Sequence, residues 1–393
     1  MPATQKKITL IDTTLRDGLQ SPGIFITTPD AAKIAARIAE AGVDEIEAGI
    51  PARGLLEIDM VRKIADACPS TVITAWCRPK LYDLKAALSC GTGSVHFSFS
   101  ISDLYLNVIG MRPASVLRRC GRILRAASSA FPLVSVGIQD ATRTPIERLM
   151  EFSAIAFKNG VRRVRIADTA GIADPLSVQE MIRRLASAFP EKDFEFHAHN
   201  DLGMATANAL TAAQCGAKSL SVSINGLGER AGNAALEEVV MAMKLSPGIA
   251  CGVKTESLFS LCHMTAKLTK RPIAPDKPIT GELVFTHQSG IHCFGLAKSP
   301  KTFEPFPPQC AGRGGRTILF GPRSGRSTLD VMLSSLGISV ESGLKTRLYS
   351  FITEESIRLK KMLTIGDVAS ITALLFGSIP MRFTRPMTGT KRT

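Results

Sequence analysis

The sequence has little that would place it in a membrane, a secreted scaffold or a nucleic-acid complex. No run of about eighteen or more uncharged apolar residues occurs, so no membrane span is expected. Residues 1–7 are polar and hold no apolar signal core, so no secretory leader is expected. Cysteine occurs nine times but never as C-x-x-C, which fits reduced thiols in a cytoplasm better than a disulfide or zinc scaffold. There are only three tyrosines and one tryptophan, and no helix-turn-helix, zinc-finger or RNP motif. Nucleic acid is therefore not the expected partner. Acidic residues are outnumbered, 34 against 48 basic ones, for a net charge of +14. The basic residues gather at 112–125, 267–271, 313–326 and 382–392. Around a cleft, such charge suits a phosphorylated cofactor or a polycarboxylate.

What is present centres on Phe194-Glu195-Phe196-His197-Ala198-His199-Asn200-Asp201. Alternate residues of a strand face the same way, so His197 and His199 share one face and Phe196 and Ala198 the other. Two imidazoles on one side of a strand end form a ready pair of metal ligands. Surface or hydrogen-bonded histidines are the plainer alternative. The chain has six histidines, and two stand in this apolar strand, which favours ligands.

The first two-thirds of the chain alternates strand and helix with a period near thirty residues. Strands are expected at 8–15, 45–50, 71–77, 94–100, 133–140, 163–169, 194–200 and 219–225. Helices are expected at 30–41, 55–67, 81–89, 113–130, 145–159, 175–188, 204–215 and 234–244. Proline stands early in several of them (Pro113, Pro145, Pro175), and glycine follows several ends (Gly42, Gly91, Gly160, Gly216). Eight strand–helix repeats in about 250 residues is the count of a (β/α)8 TIM barrel. A doubly wound sheet would carry a glycine-rich turn after its first strand, where Thr13-Thr14-Leu15-Arg16-Asp17 stands instead. The expected division is a barrel over 1–255, then a linker and a small, mostly helical extension over 256–393. Pro272, Pro275 and Pro278 mark the linker, and 300–315 reads as loop. Helices are expected at 326–336, 342–359 and 364–375, with a basic tail after Pro380 that frays.

Polar residues at the C-terminal ends of barrel strands line the active site. The first strand ends in Arg16, Asp17 and Gln20, the second in Glu47 and the third in Arg78. The fourth ends near Ser100 and Asp103, the fifth in Gln139, Asp140 and Arg143, and the sixth in Asp168 and Thr169. The seventh carries the histidines, and the eighth runs into Asn225 to Asn233. Strands one, seven and eight are neighbours in a closed barrel, so Asp17, His197, His199 and the amide oxygen of Asn233 can meet at one divalent ion. Such an ion chelates a 2-oxo acid and polarises its carbonyl, with Arg16 beside the developing alkoxide. Plainer roles stand alongside: a turn cap for Asp17, a helix cap for Asn233, a structural ion pair for Arg16, helix entry for Thr169, and mutual pairing for Glu229 and Arg230. Beyond the linker, Thr286-His287-Gln288-Ser289-Gly290-Ile291-His292 offers His292 as an acid or base where the extension folds over a barrel mouth.

Asp12-Thr13-Thr14-Leu15-Arg16-Asp17-Gly18-Leu19-Gln20 resembles the D-T-T-L-R-D-G-x-Q signature of the DRE-TIM metallolyases. His197-Ala198-His199-Asn200-Asp201 and Gly226-Leu227-Gly228-Glu229-Arg230-Ala231-Gly232-Asn233 resemble its second and third signatures. The likeness runs from about residue 8 to about residue 330. Within the family, the 286–292 stretch and Trp76-Cys77-Arg78 look most like homocitrate synthases of the nitrogen-fixation type. The 2-isopropylmalate and citramalate synthases share the same signatures.

The resemblance implies a metal-dependent acyltransferase that condenses acetyl-CoA with a 2-oxo acid, here 2-oxoglutarate, to give homocitrate and CoA. A retro-aldol lyase and a non-catalytic binding relative are the alternatives. The implied metal is Mg2+ or Mn2+, with Zn2+, Fe2+ or Co2+ behind them, on Asp17, His197 and His199, with Asn233 in the fourth place. Arg16 is implied to polarise the carbonyl, and Gln20, Gln139 and Thr169 to line the substrate. Arg78 or Arg143 is the cation expected for a second carboxylate. His292 is implied to be the base-side histidine given by the partner subunit of a homodimer. The chain after residue 330 is too short for the regulatory domain of isopropylmalate synthases, so leucine feedback is not expected. It departs from the family pattern at Leu19, Gln139 and Gln288, where Glu is usual, and at Phe303, where Tyr is usual. The metal set is whole and the proton-transfer set is thinned.

Overall fold

In Arg163-Val164-Arg165-Ile166 and Phe194-Glu195-Phe196-His197, polar and apolar residues take turns. A strand of that kind must cover both faces, each with a different kind of partner. The structure, a computed structural model that describes residues 5–376, meets this demand with a closed parallel barrel inside a ring of helices. The chain divides into two compact units, Met1–Ile273 and Ala274–Thr393.

The barrel strands are β1 Thr9–Asp12, β2 Glu45–Gly49, β3 Val72–Cys77, β4 Ser94–Ser100, β5 Leu133–Gln139, β6 Arg163–Asp168, β7 Asp193–Ala198 and β8 Ser219–Val222. The helices that follow them are α1 Thr28–Glu40, α2 Leu55–Ala67, α3 Leu81–Leu88, α4 Pro113–Ser128, α5 Ile146–Lys158, α6 Pro175–Ala188, α7 Ala205–Cys215 and α8 Leu236–Leu245. β1 pairs with β2 on one side and β8 on the other, which closes the ring. The TIM-barrel reading is thus correct, and its eight strands and eight helices lie within a few residues of the expected bounds.

Partners across a parallel ladder face the same side. Val136, Val164 and Phe194 stand in one row and Ile138, Ile166 and Phe196 in another, all buried beneath the helices. The row between them, Gly137, Arg165 and Glu195, faces the axis, and two of its three residues are charged. Arg163 Nη2 donates to both oxygens of Glu45, and its Nε lies 2.9 Å from Glu195. Arg165 donates from Nε to Glu195 at 2.6 Å and from Nη2 to Glu47 at 2.8 Å. Glu47 also accepts from Nε of Arg16. A chain of alternating charge therefore runs along the inside of the barrel, where branched apolar side chains are the usual filling. Burial opposes the charge on Glu47, but Arg16 and Arg165 outweigh it and hold this carboxyl well below the ordinary range.

Two helices of this unit were not foreseen. Asp103–Val108 is capped by Ser102, whose hydroxyl accepts from Tyr105 N. Leu258–Thr269 buries Leu258, Leu261 and Cys262 and packs on α1. In the second unit, strands Thr286–His287 and Thr317–Ile318 pair in parallel. Helices Arg326–Ser335, Ser342–Leu359 and Ile365–Phe376 follow the expected pattern. They close on a core of Phe320, Leu329, Met332, Leu333, Leu348, Ile352, Leu363 and Val368. Gly290–Lys298 is a further helix, outside those expected. The basic tail expected to fray, with 382–392, lies outside the described residues. No helix among the described residues is long and apolar enough to cross a membrane.

Candidate metal and substrate site

β1 ends in a tight turn in which the carbonyl of Thr13 accepts from the amides of Arg16, Asp17 and Gly18. That turn sets Arg16 and Asp17 at the C-terminal mouth of the barrel. β7 brings His197, and His199 follows, held by a bridge to Asn233. The two Nε2 atoms stand 3.2 Å apart. Asp17 Oδ2 lies 3.4 Å from the first and 4.0 Å from the second. Ligands at about 2.1 Å from an ion stand roughly 3 Å apart when adjacent and roughly 4 Å when opposite, so the three donors fit a shared divalent ion. All three are buried, and they form the one group of this kind found among the described residues.

The electrostatics agree with that use. Burial, and then the neighbouring His197, push His199 down to about 3, so its imidazole is neutral and keeps a lone pair. Burial opposes the charge on Asp17, but Arg16 and the histidines overcome it, leaving its carboxyl well below the ordinary range. Asp17 makes no side-chain cap bond to the turn after it. Asn233 is not a helix cap either, since Ala235 precedes α8. Its Nδ2 donates to Asp17 Oδ2 at 2.7 Å, while its Oδ1 is buried without a partner. In this arrangement Asn233 braces the carboxylate; a half-turn of the amide would present the oxygen instead.

A cavity of about 390 Å3 opens beside these groups, lined among others by Arg16, Gln20, Arg78, Gln139 and Thr169. Arg16 is held by Glu47 and by Asp17, the latter at 2.9 Å, and lies over the Trp76 ring. Arg78 is gripped by both oxygens of Asp83. Gln139 accepts from the Ser100 hydroxyl, and Thr169 Oγ1 accepts from the Asp140 amide at 2.8 Å. Arg143 does not line the cavity; it pairs with Asp140 at 2.6 Å. Arg230 does not pair with Glu229; it binds Asp201 and the carbonyl of Thr169. Neither basic stretch of the first unit, 112–125 or 267–271, lines this cavity. Arg118, Arg119, Arg122 and Arg125 lie exposed on α4. In the second unit, His292 is exposed and stacked on Phe303, with ring centroids 4.0 Å apart and planes 22° from parallel.

The cavity also holds His96, Ser98, Gly137 and Arg165, which reading only the strand ends overlooks. The available signal was the alternation along β4, β5 and β6, which points these residues inward two to four residues before each strand ends.

Comparison with known proteins places this geometry in a family. Residues 7–264 match the HMGL-like family. Residues 279–355 match the homocitrate synthase post-HMGL domain-like family. A homocitrate synthase of Frankia alni is 40% identical over 331 residues, 84% of this chain and 94% of that one. The 2-isopropylmalate synthase 2 of Caldanaerobacter subterraneus is 38% identical over 359 residues, 91% of this chain and 93% of that one. The crystal structure of Bacillus subtilis HMG-CoA lyase superposes with a TM-score of 0.62 at 25% identity, covering 70% of this chain and 97% of that one. The chain therefore belongs to the HMGL-like family of DRE-TIM metallolyases, among its metal-dependent acyltransferase synthases.

Proposed function

We propose that the protein is a homocitrate synthase, which condenses acetyl-CoA with 2-oxoglutarate to give homocitrate and CoA. The observation that carries this reading is the polarity of the cavity beside the three-donor cluster. Arg165, His96, Ser98 and Gln139 all line it. A carboxylate tail would find donors there. A branched apolar tail would leave buried polar groups unpaired, at roughly 1–3 kcal/mol each. The match to the homocitrate synthase post-HMGL domain supports the same acceptor. A 2-isopropylmalate synthase is the second reading, because relatives of that name are nearly as similar.

Asp17, His197 and His199 would hold the divalent ion, Mg2+ or Mn2+ in this proposal, whose chemistry is to chelate the 2-oxo acid and polarise its carbonyl. Arg16, locked by Glu47 and Asp17, would face the oxygen as it gains charge. The acetyl methyl loses a proton, its carbon bonds to C2 of the acceptor, and water then splits the thioester. His292, from the partner subunit of a homodimer, is proposed to take that methyl proton. Exposed apolar side chains near the mouth, among them Leu55, Leu56, Tyr82 and Val108, support a covered rather than a bare rim.

The test mixes acetyl-CoA with a panel of 2-oxo acids and a thiol reagent for free CoA. Release fastest with 2-oxoglutarate is expected. Faster release with 2-oxoisovalerate or pyruvate would make the chain an isopropylmalate- or citramalate-type synthase, and cleavage of a hydroxy acid without CoA release would make it a lyase. Chelation should abolish release and Mg2+ or Mn2+ restore it; indifference to chelator would sink the metal role.

A further inference from the structure

We infer that the tail of the acceptor is read at the inner floor of the cavity by Arg165 and His96, across a gap that Gly137 leaves open. This rests on the synthase reading and names the determinant of its acceptor.

His96, on β4, is 1% exposed, and its Nδ1 lies 2.9 Å from the Ser135 hydroxyl. Its Nε2 is buried with no partner, and the residue lines the cavity. A buried polar atom left unpaired is costly, so a ligand atom at this point is the natural complement. The Ser135 hydroxyl can donate to Nδ1, which leaves Nε2–H as a donor. Arg165, on β6, is 3% exposed. Two of its nitrogens are committed, Nε to Glu195 and Nη2 to Glu47. Its Nη1 has no hydrogen-bond partner among the described residues, and Arg165 too lines the cavity.

Gly137 of β5 stands in register beside Arg165. A Cβ there would lie 2.7 Å from His96 Nε2 and 3.2 Å from its Cε1. Any side chain at 137 would therefore cover the unpaired nitrogen. Glycine is what leaves His96 open to the cavity.

The rim offers less. Arg78 is half-exposed and already bound through two nitrogens to Asp83, and Arg143 is outside the cavity. Inside, Glu45, Glu47 and Glu195 balance Arg16, Arg163 and Arg165, so the floor recognises by directed N–H groups rather than by surplus charge. Two donors at one end of a cavity select an acceptor whose tail ends in a carboxylate.

The experiment measures binding of 2-oxoglutarate and 2-oxoisovalerate by calorimetry to the full-length protein loaded with Mn2+, alongside CoA release. The variants are His96→Leu, His96→Gln and Arg165→Lys. His96→Leu and Arg165→Lys should each weaken 2-oxoglutarate by about tenfold or more and leave 2-oxoisovalerate within about threefold. His96→Gln, which keeps a donor, should recover part of the loss. Equal weakening of both acceptors, or no change, overturns the proposal, as does a wild type that does not bind 2-oxoglutarate. Arg165→Lys retains the positive charge between Glu47 and Glu195, so it decides the matter if His96→Leu fails to fold. A wild type that binds 2-oxoglutarate but releases no CoA with any acceptor sinks the synthase reading while leaving this one standing.

Discussion

Asn233 touches no substrate in the proposed chemistry, yet its amide holds one oxygen of Asp17 from the side. Outer partners of metal ligands are commonly worth roughly 10- to 100-fold in metal affinity. Asn233→Ala should weaken Mn2+ by that factor, measured by calorimetry, whereas His197→Ala should leave no stoichiometric metal after dialysis. Asp12 offers a different test. It is fully buried, and burial pushes its carboxyl up to about 7 despite bonds from Thr14. The folded state thus holds this proton more tightly than the unfolded chain. Stability should fall as pH rises from about 4 to about 7 and level off above, by up to about 4 kcal/mol. Asp12→Asn should remove that fall, read as denaturant midpoints at pH 5 and pH 8. Gln139 and Phe303 cannot carry protons. Gln139→Glu with Phe303→Tyr should raise turnover by about 100-fold with little change in acceptor affinity. A wild type already at ordinary turnover and unmoved by the pair would show that water or a neighbour performs the relay.

At the scale of elements, the barrel was legible because each repeat announces itself locally. Pro175 opens α6 behind an Asp174–Ser177 capping box, and Gly216 at φ +128° ends α7 where a side chain would strike Ala186. The signature turn after β1 and the paired histidines on β7 were legible for the same reason: each lies within a few consecutive residues. The cavity floor was not, since His96, Gly137 and Arg165 come from three strands and meet only once the ring closes. Gly290–Lys298 escaped notice because two glycines and a histidine lower its helical signal, while its burial of Cys293 and Leu296 is tertiary. The charged interior makes its own prediction. Arg163 serves both Glu45 and Glu195, and breaking a buried pair on one side costs about 3–5 kcal/mol. Arg163→Met should lower the unfolding free energy, read by denaturant titration, by about that much, while a substitution at exposed Arg122 should change it by no more than about 0.5 kcal/mol.

For the whole molecule, the proposed homodimer predicts twice the chain mass in sedimentation at micromolar concentration. Leu56→Asp, at a side chain 89% exposed near the mouth, should shift that mass toward one chain if the rim is the covered surface. A monomeric wild type would remove the partner's His292 from the mechanism. The barrel's inverted filling has a further consequence. Its ion pairs are sealed from solvent, so dissolved electrolyte cannot screen them, whereas the surplus of +14 is carried largely at the surface. Raising ionic strength therefore relieves the mutual repulsion outside and leaves the attraction inside intact. This is a protein whose charges should make it sturdier, not weaker, as potassium chloride is added.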